Sequence, residues 1–172
     1  MDAVWLLPPD WKSAPRVTDA WKTGVNITPL GNEARSALIA YPRLTLSYSA
    51  KILSYRHRAW LMRSLFKHLH KVWGVPVWTD VTLLTVPAAA GDTRITVANT
   101  VLRRFHAGGK LVLIDAADDL HHAACTIADV EDGAITLSEP VSEDWPAAYV
   151  YPLVTAQMSA TQNITSITSH YA

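Results

Sequence analysis

The chain has 172 residues, 49% of them hydrophobic and 17% charged, and a formal net charge of zero. That is one ordinary domain, or one domain carrying a small second module, with enough apolar material for a core and too much for a disordered chain. No run approaches the ~18 apolar residues of a membrane helix. The opening MDAVWLLPPDW lacks the basic start and long apolar stretch of a signal peptide, so none is expected. Cys125, the only cysteine, excludes an internal disulfide framework and a multi-cysteine zinc module.

The zero charge hides an asymmetry. Residues 1–78 carry eleven Lys/Arg and four Asp/Glu, whereas residues 79–172 carry four and eleven. The opposition suggests two modules with their own surfaces. The halves attract each other within one chain, or the basic side of one copy meets the acidic side of the next; complementarity of the second kind sets register and partner choice more than affinity.

In chain order, residues 1–24 contain Trp5, Trp11 and Trp21 among Pro8, Pro9 and Pro15. The prolines forbid a long helix, so an extended arm lying on an apolar surface is expected, that surface being its own core or a neighbouring subunit. Short strands are expected at 24–30 and 33–40, with a turn at Gly31–Glu33. Residues 43–49 alternate, with Leu44, Leu46 and Tyr48 to one side, as a half-buried strand does.

A helix is expected from Ser54, a plausible N-cap, to Val72. Leu61, Leu65, Leu69 and Val72 fall at helical spacing, joined by Met62 and Phe66, while Arg56, Arg63, Lys67 and Lys71 line another face. Gly74 is read as the terminator. The basic face reads as solvated rather than as a nucleic-acid contact, because no aromatic interleaving accompanies it.

Residues 75–86 form another apolar strand region. From Pro87 the texture changes to short strands at 94–98, 110–114, 123–130 and 134–138, with Asp132-Gly133 as a hairpin signal. Such spacing argues for a small barrel or sandwich closing at Trp145–Pro152. The expected fold is mainly β (α+β): an outer β-sandwich domain with one flanking helix over 1–82 and 153–172, and an inserted small β-barrel or sandwich over 83–152.

Candidate chemistry is sparse. His121, His122 and Cys125 resemble a fragment of a metal site, but adjacent histidines on a strand point to opposite faces and a tetrahedral zinc needs four ligands. A loop with a half-buried cysteine is the favoured reading, and no metal or cofactor is assigned. No GxSxG, HExxH, GxxxxGK[ST] or GxGxxG occurs. The carboxylates gather in turns, where Asp has conformational reasons to be. No enzymatic activity is expected.

The order of segments carries a resemblance. The Trp/Pro arm leads to TGVNITPLGNEARSALIAYPRLTLSYS (23–49), containing Gly31, Asn32, Glu33 and Arg35 at the turn and Arg43, Leu44, Leu46 and Tyr48 in the next strand. The helix and VWGVPVWTD (72–80) follow, then GDTRITV, FHAGGKLVLI, ITLSEPV and WPAAYVYP. This order, over about residues 5–155, resembles the distal-tail type of tail-tip and baseplate proteins of long-tailed bacteriophages.

The resemblance implies a tail-tube-like β-sandwich that assembles into a hexameric or trimeric ring, joins the tail tube to the hub or tip proteins, and keeps a channel through which DNA passes without specific binding. It implies a virion component assembled in the host cytoplasm, with no membrane insertion. Trp5, Trp11, Trp21, Arg56, Arg63, Lys67 and Lys71 are then the interface candidates. The rival reading is a host-surface glycan-binding module stacking sugars on Trp145, Tyr149 and Tyr151; core packing is the favoured role for the same residues, because Pro146 and Pro152 suggest a tight structural corner.

Overall fold

The computed structural model describes residues 3–27, 33–37, 43–52 and 54–158. The fold is mainly β with one helix, an α+β arrangement built on a large mixed sheet. The chain divides into two compact units, Leu7–Lys51 and the remainder. Gly31 and Asn32 of the expected turn, and the part of the expected outer domain beyond residue 158, lie outside the described residues.

Within Leu7–Lys51, β2 (Arg16–Ala20) pairs antiparallel with β5 (Arg43–Ser47), and β3 (Thr23–Ile27) with β4 (Glu33–Ala37). β2, β3 and β5 follow β-branched or alternating stretches of the sequence, whereas β4 carries no such local signal. Among the described residues each sheet has two strands. Val17 and Leu46 sit directly opposite each other and both are exposed, as are Trp11, Trp21, Val25 and Ile27. Tyr48 donates its hydroxyl to the Leu7 carbonyl at 3.3 Å. A two-stranded ribbon with its apolar side chains in water is marginally stable without a covering surface.

In the other unit, β1 (Ala3–Val4) runs parallel to β6 (Val72–Pro76), and the Trp5 N–H continues the pairing to the Gly74 carbonyl at 2.8 Å. The helix α1 (Tyr55–His68) starts where Ser54 accepts the His57 N–H at 3.1 Å, a side-chain N-cap. It ends a turn earlier than the periodicity suggests, and Gly74 lies inside β6 rather than terminating the helix. The reason is tertiary: Val72, Trp73 and Val75 suit a pleated strand and find partners on β12 (Ala148–Gln157) and on β1, which overrides helical spacing. Trp73 is fully buried and donates its indole N–H to the His68 carbonyl, tying the helix end to the sheet.

Beyond a 3-10 turn at Trp78–Asp80 come β7 (Thr82–Leu83), β8 (Arg94–Thr96), β9 (Lys110–Asp115), β10 (His122–Glu131) and β11 (Ala134–Leu137). The hydrogen-bonded order runs β7, β12, β9, β10, β11, β8. It closes on itself through the Leu84–Val97 bridge and the Thr85-to-Thr96 and Ala98-to-Leu83 backbone bonds. The result is a small closed barrel. The Asp132-Gly133 turn joins β10 to β11 as its residues suggest, with Gly133 at φ 72, a backbone state that favours glycine. A register shift between Ile127 and Asp129 adds the bend that closure requires.

Two cores result. Ile95, Val97, Phe105, Leu111, Leu113, Ile127, Ile135, Trp145 and Val150 fill the barrel. Val112, Ile114 and Leu153, on the other face of the same strands, meet Val4 and Leu6 with Trp60 of α1 packed against them. This is the period-two logic of a strand buried on both faces. The expected boundaries at 82/83 and 152/153 both fall inside this unit. At the second, β12 continues unbroken while its partner on one edge changes from β7 to β6. Pro152, read in the sequence as part of a tight corner, sits within the strand at that changeover, where a missing N–H costs no ladder bond.

Candidate functional site

The polar side chains with most partners gather where the β9–β10 loop meets α1. Asp115 at the end of β9 accepts the Ala117 N–H at 2.7 Å, and Asp118 accepts the Leu120 N–H at 3.1 Å, so short-range Asp turns shape the loop. The loop then presents Asp118 to the Arg56 guanidinium, at 2.9 and 3.1 Å, and Asp119 to His57 Nε2 at 2.7 Å. The Arg56 pairing holds the Asp118 carboxyl below its ordinary range, helped by the Leu120 N–H, and Asp118 in turn raises Arg56.

Ser54, His57 and Asp119 are in a Ser–His–Asp order, with Ser54 Oγ against His57 Nδ1 and Asp119 on Nε2. The serine oxygen also accepts the helix N-cap bond. That duty fixes Oγ at the helix start, and the relay reads as a cap that pins the β9–β10 loop.

His121 forms the second half of the cluster. Nδ1 lies 3.3 Å from Asp115 and Nε2 lies 3.1 Å from Glu143. Ionised carboxylates only accept, so both contacts are hydrogen bonds together only when the ring carries its second proton. Asp115 and then Glu143 raise the His121 pKa above its ordinary value, against an opposing effect of burial. The Ala117 N–H, and next His121, lower Asp115. The ring lies over Trp145, centroids 4.8 Å apart.

His122 turns elsewhere, its Nδ1 3.0 Å from the Leu120 carbonyl. Cys125 packs partly buried against the barrel core, and burial, then Glu139, push its thiol up. The structure does not bring His121, His122 and Cys125 to one point. Among the described residues no group of three or more His, Cys, Asp and Glu side chains has the arrangement to hold a metal ion.

The interface candidates separate. Trp5 is half-buried, edge-on to Trp60 at 6.0 Å and to Trp73 at 5.8 Å, so it anchors the helix to the sheet. Trp11 and Trp21 are exposed in the ribbon unit. Arg56 is engaged by Asp118, Lys71 is half-buried, and Arg63 and Lys67 are exposed. Among the glycan candidates Trp145 is 0% exposed and offers no face to a sugar. Tyr149 is exposed and Tyr151 half-buried, 6.5 Å apart. Trp78, missed in the sequence, packs edge-on to Tyr151 at 5.1 Å. A depression of about 360 Å³ lined by Pro87, Ala88, Ala89, Asp144 and Pro146 lies elsewhere on this unit.

Sequence reasoning also missed an exposed stripe on α1. Met62 and Phe66 were expected to join the buried face; Leu61 and Trp60 fill that role, while Tyr55, Met62, Phe66 and Leu69 face solvent. At 100° per residue those four positions span roughly 60° of arc, a signal the sequence did contain.

No protein-family profile matches the chain, and no curated protein is similar to it. Among solved structures, part of the fold is similar to the Gp54 tailspike of Acinetobacter baumannii bacteriophage AP22, solved in complex with A. baumannii capsular saccharide, at 10% identity and a TM-score of 0.34. The likeness covers 46% of this chain and 16% of the tailspike. At that level it assigns neither family nor function. No helix among the described residues is long and apolar enough to cross a membrane.

Proposed function

We propose that this chain is a non-enzymatic structural subunit of a phage tail tip or baseplate, assembling into a ring that joins the tail tube to the hub or tip around a DNA channel. The order of sequence motifs supports the reading. The observation that carries it is the Leu7–Lys51 unit, whose Val17–Leu46 pair, Val25 and Ile27 are exposed on two-stranded sheets, with Trp21 exposed between β2 and β3. Side chains of that kind gain stability when a neighbouring subunit covers them. The polar cluster fits the same role, since its ion pairs lock a loop to a helix.

Co-expression with tail-tube and hub subunits, followed by affinity capture, tests the reading. Stable co-purification of the intact chain, lost with Val17→Asp and Trp21→Asp, is expected. Capture that is indifferent to these substitutions, with no ring by electron microscopy, would overturn it.

The glycan reading keeps one specific observation, the Trp78–Tyr151–Tyr149 aromatic row on one surface. Stacking on such a row would be lost with Tyr149→Ala in a glycan screen, with the fold intact.

A further inference from the structure

We infer that His121 is a proton-controlled clasp between the β9–β10 loop and the connection over residues 138–147, closed when the ring is charged and open at Glu143 when it is neutral. The inference is independent of the assembly reading. It rests on a difference between the two histidines that hold this loop.

His57 keeps its bonds in either state of charge. Its Nε2 faces Asp119 and its Nδ1 faces the Ser54 hydroxyl. A neutral ring protonated at Nε2 still donates to the carboxylate, while Nδ1 accepts the hydroxyl proton. Arg56, on Asp118, stays charged throughout. The loop is therefore pinned to α1 on both sides of neutrality.

His121 lacks that freedom, because both of its ring partners are carboxylates. A neutral ring has one proton and holds one of them. Asp115 is the one retained. Its N–H donates to the His121 carbonyl at 3.0 Å, and the His121 N–H closes the turn on the Asp118 carbonyl at 2.9 Å, so the backbone fixes residues 115 and 121 together. Glu143 belongs to the separate connection, is 45% exposed at its side chain, and has His121 as its hydrogen-bond partner among the described residues. On deprotonation the Nε2 lone pair meets this carboxylate, and two acceptors repel.

The surrounding charge acts in the same direction. Asp115 at the end of β9, Asp118 in the loop and Glu143 on the connection all face the ring, and His122 beside it turns to the Leu120 carbonyl. Residues 111–158 contain no Lys or Arg. Once the imidazolium is lost, Arg56 on Asp118 is the cation left to offset three carboxylates. Asp115 and then Glu143 raise the His121 pKa, which puts the change on the neutral-to-alkaline side.

The structural consequence falls on Trp145. The imidazole, 40% exposed, stacks on an indole that is 0% exposed. The closed form also carries the cost of an indole N–H with no hydrogen-bond partner among the described residues. A ring released from Glu143 uncovers the indole face beneath it.

The test labels the intact chain with fluorotryptophan and assigns the Trp145 signal with Trp145→Phe. The fluorine shift between H2O and D2O then reads solvent access to that one ring, from mildly acidic to mildly alkaline pH. No isotope shift on the acid side, and its appearance with a midpoint above 6.5, are expected. His121→Ala should show the shift at every pH. Glu143→Gln should abolish it, because a carboxamide accepts from the charged ring and donates to the neutral one, so the clasp holds in both states. A wild-type Trp145 that stays shielded throughout overturns the inference. So does an opening that survives Glu143→Gln with its midpoint unchanged, a readout that stands even where His121→Ala fails to fold.

Discussion

His121 lies nearly parallel to Trp145, the planes 11° apart, and covers an indole that is otherwise fully enclosed by the barrel. Asp115 and Glu143 hold the imidazole at its two nitrogens, so the position of the lid depends on its charge.

His121 therefore gives the fold a pH signature. Its folded pKa is raised above the ordinary 6.5, so its contribution is fully present below that value and is lost as pH rises through the folded value. Asp115 and Asp118 are lowered from 3.8, so theirs is present above that value and lost as pH falls through the folded values. Stability should plateau between the two regions. His121→Gln should flatten the decline on the neutral-to-alkaline side and also shrink the acid limb in part, since His121 helps to lower Asp115, as read by thermal unfolding across pH.

Trp145 itself is a core residue. Trp145→Ala should cost about 3–5 kcal/mol by urea unfolding, the range for deleting a buried aromatic. Tyr149→Ala, at an exposed position, should cost a small fraction of that.

Ser54 caps α1 and touches His57. Ser54→Ala should cost about 1 kcal/mol, and helix content by circular dichroism should fall slightly. Ser54→Asp should recover most of the loss, since the carboxylate can accept the same N–H.

The sequence made part of this legible. The strands at 110–114 and 134–138, the Asp132-Gly133 hairpin and the Ser54 cap carry their own local signals, and all appear where those signals put them. Barrel closure through Leu84 and Val97 was not legible beyond the class of fold, because a bridge between residues that alternate in separate strands leaves no local pattern. The polar cluster stayed hidden for the same reason: Arg56 and Asp118 stand 62 positions apart. Trp145 was named in the sequence as a stacking candidate, with core packing favoured because Pro146 and Pro152 suggest a tight corner, and its full burial fits the core role.

The ribbon gives a prediction of its own. Val17→Thr with Leu46→Thr should leave the unfolding midpoint of the barrel unit nearly unchanged, because those side chains are exposed. The same pair should weaken assembly several-fold, measured by sedimentation.

The most direct measurement is the solution mass of the intact chain by light scattering across concentration and salt. A discrete ring-sized species that dissociates as salt rises is expected, because opposed charges between copies are screened. A monomer at every concentration that also fails to assemble with tail-tube and hub subunits would contradict a self-assembling tail component.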